Sequence, residues 1–200
     1  MKRLAIICVV LVCVFTYNEA CTCARTHPQE QFCNSDFVVR ARILRRTVTD
    51  STEFENVFYT VLIRQNYKRR QYPIRPPVQS IYTASQSASC GASFVIGREY
   101  IISGSIQNNR WRTSLCSFNR ETSSLNQFQR NALNFGYYRN NCSCNIRYCG
   151  FTDDPTCTVP GRNECLIINN ENCFYQNDAC IQYGRRCRWL SNQCADSPGK

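Results

Sequence analysis

The sequence predicts a mainly β chain, with a small five-stranded barrel of the OB type followed by a compact region held by disulfides. Three observations carry that expectation. Between residues 21 and 143, short β-rich runs outnumber helical ones, and a polar loop joins two of them as a hairpin. Cysteine density then jumps, with eight cysteines in the 51 residues from Cys144 to Cys194. A segment of that size cannot bury enough apolar surface unaided, so cross-links must hold it. Ahead of both regions, Lys2-Arg3 and a 12-residue apolar run, Leu4 to Phe15, read as a removable signal peptide too short to span a bilayer.

Cleavage after Ala20 makes Cys21 the first residue and divides the chain into a signal (1–20), a barrel domain (21–143) and a stapled C-terminal domain (144–200). Pro28 to Cys33 reads as a short helical turn, with Pro28 suited to the first helical position. Phe37 to Leu44 is a β-rich run in which Val39, Ala41 and Ile43 share a face. A polar loop, Thr47 to Glu55, leads into the strand Val57 to Ile63. Pro73, Pro76 and Pro77 break the pattern. Strands resume at Ser80 to Ala84, at Tyr100 to Gly104 and around Trp111 to Leu115. Ser124 is placed to cap a helix that turns Leu125, Phe128, Ala132 and Phe135 toward the barrel, and Gly136 to end it. Trp111 and Trp189 read as packing residues.

Cys8 and Cys13 leave with the signal, so 14 of the 16 cysteines remain. An even number in a secreted chain favours disulfides over thiols. Structural zinc lacks support, because no paired C-x-x-C occurs and His27 is the sole histidine. Loss of Lys2, Arg3 and Glu19 takes the net charge from +10 to +9. Such a charge suits heparin-like glycans or a merely solvated basic face, and Lys68, Arg69 and Arg70 are the candidate glycan-binding run. No nucleic-acid motif and no second long apolar run stand out, so neither nucleic acid nor a membrane span is expected. No acid/base pair or nucleophile arrangement marks an enzyme, and His27 reads as a surface or helix-start residue. Asn141-Cys142-Ser143 is a glycosylation sequon with a half-cystine in its middle. At the mature N-terminus, a free α-amine and the adjacent carbonyl of Cys21, fixed by local disulfides, can chelate a metal in another protein.

The ordered motifs resemble the tissue inhibitors of metalloproteinases. They are Cys21-Thr22-Cys23, His27-Pro28-Gln29, Phe32-Cys33-Asn34-Ser35-Asp36, Ile81-Tyr82-Thr83-Ala84, Ser87-Ala88-Ser89-Cys90-Gly91, Tyr100 to Gly104, Leu115-Cys116, Cys142-Ser143-Cys144 and Cys187-Arg188-Trp189. The resemblance covers essentially the whole mature chain. It implies a netrin-like OB-fold five-stranded barrel with packing helices, then a small disulfide-rich C-terminal domain. It also implies the pairings Cys21–Cys90, Cys23–Cys116, Cys33–Cys142, Cys144–Cys187, Cys149–Cys157 and Cys165–Cys180. Cys173 and Cys194 are left over and are paired with each other.

The function implied is secreted, extracellular inhibition of matrix metalloproteinases or related zinc endopeptidases. Such an inhibitor needs no cofactor of its own. The Cys21 amine and carbonyl would occupy the open position of the protease's catalytic zinc. Thr22 would enter the neighbouring specificity pocket, and Cys23, Ala24 and Arg25 would follow the substrate groove. Ser87, Ala88, Ser89 and Cys90 would form the second part of the inhibitory ridge. Arg25 stands where family members often carry proline or a small residue, which implies altered selectivity. The short loop between the first two strands and the non-acidic tail Ala195 to Lys200 imply neither an extended reach onto the protease rim nor docking through an acidic tail. The alternative is a non-inhibitory netrin-like module that binds matrix glycans or a receptor; an inhibitor, unlike that module, needs nothing ahead of Cys21.

Overall fold

A computed structural model describes residues 21–49, 57–68, 77–85, 89–149, 157, 159–168, 171–191 and 194. The expected signal, the polar loop at 50–56, Arg69, Arg70 and the tail at 195–200 lie outside these residues.

A barrel closes from five strands: β1 (Phe37–Val48), β2 (Val57–Asn66), β3 (Val78–Thr83), β4 (Glu99–Gln107) and β5 (Arg110–Arg112). The order is β1-β2-β3-β5-β4, and β4 returns to pair with β1. β3 and β5 run parallel, whereas the other barrel pairs are antiparallel. β1 makes closure possible because it serves two partners. Its first half pairs with β4 from Phe37↔Gly104 to Arg42↔Glu99, and its length pairs with β2 through register shifts at Arg40/Ala41 and Ile43/Arg45. Such irregularities bend a strand and increase its twist.

Alternation along β1 serves two cores. Phe37, Val39, Ala41 and Ile43 point into the barrel, with Val57, Tyr59, Val61, Ile81, Phe94 and Ile102. Trp111 stacks on Phe37 there, with centroids 4.3 Å apart. Gly104 lies where a Cβ would meet the Arg112 carbonyl oxygen at 1.8 Å, so only glycine lets β4 and β5 approach this closely. Val38 points the other way, into a second core with Ile101, Phe32 of α1 (Pro28–Cys33), and Ala132 and Leu133 of α2 (Gln127–Asn134).

Several expectations are corrected in detail. β1 continues to Val48, so the loop does not start at Thr47, and the fifth strand ends at Arg112 rather than Leu115. A further short strand, β6 (Arg120–Glu121), pairs with β4. Asn126, not Ser124, caps α2: it accepts from the Gln129 N–H, while Gln129 bonds back to Asn126. Ser124 closes a preceding 3₁₀ turn. Within α2 Ala132 and Leu133 are buried, whereas Phe135, expected to face the barrel, is 60% exposed.

The C-terminal region is more ordered than its composition implies. It contains β7 (Asn145–Tyr148) parallel to β8 (Glu164–Ile167), then α3 (Glu171–Asn177), and the hairpin of β9 (Cys180–Tyr183) with β10 (Arg186–Trp189). Ile146, Ile167 and Phe174 form a small core among buried half-cystines. Trp189 packs on Phe174 and donates from its indole to the Leu166 carbonyl.

α1 and its cap fasten this region to the barrel. His27 was expected at a surface or helix start; it is the N-cap of α1, but fully buried. Its Nδ1 accepts from the Gln29 N–H, so Nε2 carries the proton and donates to the Phe174 carbonyl 3.0 Å away. Gln29, also buried, donates to the Cys180 and Asn141 carbonyls and accepts from the Cys180 N–H. Tyr148 donates to Glu30 and accepts from the His27 N–H. Asn141 itself donates to the Tyr137 carbonyl and accepts from the Gln182 N–H.

The clamp makes stability depend on acid. Burial, only partly offset by the backbone contacts to Phe174 and Asp178, pulls the His27 pKa down to about 4. An unfolded histidine titrates near 6.5, so between about 6.5 and 4 the unfolded chain binds the extra proton. The contribution of neutral His27 is therefore complete above about pH 6.5 and falls by about 3 kcal/mol as pH drops to about 4. Burial raises the Asp178 pKa, which slopes stability the opposite way above its unfolded value. Comparing the parent with His27→Gln separates the two. Denaturant unfolding at pH 7.5, 6 and 5 should show a decline in the parent that the variant lacks, whereas parallel curves would refute the assignment to His27.

Candidate functional site

The residues before α1 form an irregular arm, 21–27, with neither helix nor strand. Two disulfides pin it to the barrel. Cys21 is bonded to Cys90, in the turn between β3 and β4, and Cys23 to Cys116, just beyond β5, each with Cα atoms 5.2 Å apart. The two bridges touch, since the sulfurs of Cys21 and Cys116 are 3.8 Å apart.

The anchors are themselves held. The Cys90 carbonyl accepts from the Leu115 N–H at 2.7 Å, which joins the two anchoring turns. Thr83, at the end of β3, accepts from the Ala92 N–H. Cys90 has φ +58°, a left-handed conformation unusual for a residue with a Cβ. A turn of that kind persists where its surroundings over-determine it, and here the bridge and the Leu115 bond both do.

Thr22, Ala24 and Arg25 are exposed, while Cys21, Cys23 and Ser89 are half-buried. The structure therefore brings Cys21 to Arg25 together with Ser89 and Cys90; Ser87 and Ala88 lie outside the described residues. Lys68 sits elsewhere and is engaged in the fold. Its ammonium donates to the Cys33 carbonyl and lies 5.0 Å from the centre of the Phe32 ring, and partial burial lowers its pKa.

The remaining bridges stay within their own regions: Cys33–Cys142 under the barrel, and Cys144–Cys187, Cys149–Cys157, Cys165–Cys180 and Cys173–Cys194 in the C-terminal region. Sulfurs of Cys21, Cys90 and Cys116 cluster, as do those of Cys144, Cys180 and Cys187. Every one of them is in a disulfide, so neither cluster offers the thiolates that metal ligation needs.

Sequence reasoning missed a groove of about 600 Å³ beside the arm, lined in part by Arg25, Arg120, Tyr175 and Gln176. It joins the arm, the barrel and α3, which are far apart in sequence, and no local pattern announces it. The α1 clamp did have a local signal: Glu30 three residues after His27 completes a capping box.

The family model described as "Tissue inhibitor of metalloproteinase" matches residues 19–189. The chain is 35% identical over 171 residues to Metalloproteinase inhibitor 3 of Gallus gallus, covering 82% of this chain and 78% of that one. It is 34% identical over 179 residues to Metalloproteinase inhibitor 3 of Xenopus laevis, with 86% and 81% covered. Against Metalloproteinase inhibitor 2 of Homo sapiens the identity is 30% over 174 residues, with 84% and 76% covered.

The arm's order should depend on its second bridge. Replacing Cys23 and Cys116 together by alanine opens a loop spanning 93 positions and should cost about 2–5 kcal/mol. Hydrogen exchange should then quicken at residues 23–26 while the amides of β1 and β4 stay protected. Unchanged exchange in the arm would show that something other than the bridge orders it.

Proposed function

Because the chain belongs to the tissue inhibitor of metalloproteinase family and is an inhibitor of metalloproteinases, we propose that it acts by chelating the protease's catalytic zinc through Cys21. The signal is removed after Ala20, and the protein works outside the cell. The freed α-amine and the carbonyl of Cys21 take the open zinc position and displace the hydrolytic water. Thr22 enters the adjoining specificity pocket. Cys23, Ala24 and Arg25 run along the substrate groove, and Ser87 to Cys90 complete the ridge.

The observation that carries this reading is the arm's double attachment: Cys21 and Cys23 are bonded to two neighbouring turns while Thr22 between them is exposed. A segment already fixed loses little conformational entropy on binding. The inhibitor places no peptide bond across the metal in a cleavable pose, so it blocks without being turned over.

A zinc ion accepts only the neutral amine, and an unperturbed α-amine titrates at roughly 7.7–8.0. Below that range, protonation of a free amine competes with the metal, by up to about tenfold per pH unit. Adding one alanine ahead of Cys21 converts the amine into an amide, a far poorer donor, and pushes an extra residue toward the metal. Titration against a matrix metalloproteinase should show inhibition falling by orders of magnitude, with circular dichroism unchanged. An extended protein that inhibits as well as the parent would refute the chelate.

A further inference from the structure

The groove beside the arm has a one-sided charge. Arg25 and Arg120 both line it and both are exposed, and among the described residues none of its lining is an aspartate or glutamate. Of the carboxylates nearest along the chain, Glu171, beside Asn172 at the start of α3, stands outside the lining, and two others are occupied. Glu121, next to Arg120, is paired with Arg98 at 2.8 Å, and Glu30 accepts from Tyr148. Among the described residues, the Arg120 guanidinium donates to the Asn119 carbonyl at 3.4 Å.

The groove is also held in shape. α3 contributes Tyr175 and Gln176 to its lining, and the carbonyls of those residues accept from Gln129 and Asn126 at the start of α2. The exposed Gln176 side chain is left facing outward. Cys23, Ala24 and Arg25 belong at once to the groove and to the arm, so a protein surface that meets the arm beyond Cys23 must pass over the groove.

We propose that this groove receives an acidic segment of the target's catalytic domain, one that borders the part of the cleft taken by Cys23 to Arg25, so that α3 and Arg120 help select the protease. The proposal rests on the ridge reading above and adds a charge criterion to it. Exposed charges at the rim of an interface act mainly on the rate of association, through a field that salt screens. The C-terminal region thereby acquires a part in recognition through α3, with no acidic tail required.

The test uses the full chain and the catalytic domains of metalloproteinases that differ in acidic residues along that rim. Arg120→Glu and Gln176→Glu each put a carboxylate into the groove at an exposed position outside the ridge. Arg185→Glu, in the exposed turn between β9 and β10, makes a charge change away from the groove lining. Against a catalytic domain with an acidic rim, each groove variant should associate about five- to tenfold more slowly at low salt, and the difference should fade near 0.5 M NaCl. Arg185→Glu should stay within about twofold of the parent. Unchanged rates for both groove variants would overturn the proposal, as would equal slowing by all three. The alanine extension, measured alongside, reports separately on the chelate. If the extension abolishes inhibition while the groove variants keep the parent's rates, the groove is wrong and the chelate stands. If the extension still inhibits, the chelate falls, and the association rates continue to judge the groove.

Discussion

Two adjacent disulfides carry the most consequence in this molecule. Without Cys21–Cys90 and Cys23–Cys116, the arm ahead of α1 would have no covalent tie to the barrel. Cys21 and Cys23 are both bonded to turns of the barrel, and Thr22 between them is exposed. The barrel's contribution is to hold the two receiving turns in register, through the Leu115–Cys90 backbone bond and through β5 lying between β3 and β4. Closure of the barrel depends in turn on β1 reaching both β2 and β4, and on the missing side chain at Gly104.

A second constraint acts from the other end of the chain. The C-terminal region is cross-linked only within itself, yet it is fastened to the barrel by buried polar contacts gathered on α1. Buried polar groups hold firmly when every donor and acceptor is satisfied. His27 meets that condition as a neutral tautomer and Gln29 through its amide. The same contacts set the position of α3 beside the arm.

Much of this was legible in the sequence, for identifiable reasons. The alternation in Phe37 to Ile43 and in Val57 to Ile63 reports a half-buried strand directly, and both segments line the barrel. The cysteine density after Cys142 marks a region too small for a conventional core, and the ordered motifs point to the family that the comparisons establish. The boundary errors have local causes. Ser124 and Asn126 are both good caps, and each has a glutamine three residues on, so the sequence offers two capping boxes two residues apart. Legibility failed where a property belongs to several segments at once. A lone histidine beside a proline looks like a surface residue until Phe174, Tyr175 and Trp189, 147 to 162 positions away, close over it. The groove between arm, barrel and α3 is of the same kind.

The proposed inhibition turns on one bond, from the α-nitrogen of Cys21 to the metal of the protease. It can be observed without relying on loss of function. The inhibitor would be prepared with ¹⁵N at that nitrogen and bound to a metalloproteinase whose zinc has been replaced by ¹¹³Cd. The account predicts a scalar coupling between the two nuclei and a cadmium resonance shifted from that of the free protease. A tight complex with no such coupling, and with the cadmium resonance where it stood before binding, would contradict it.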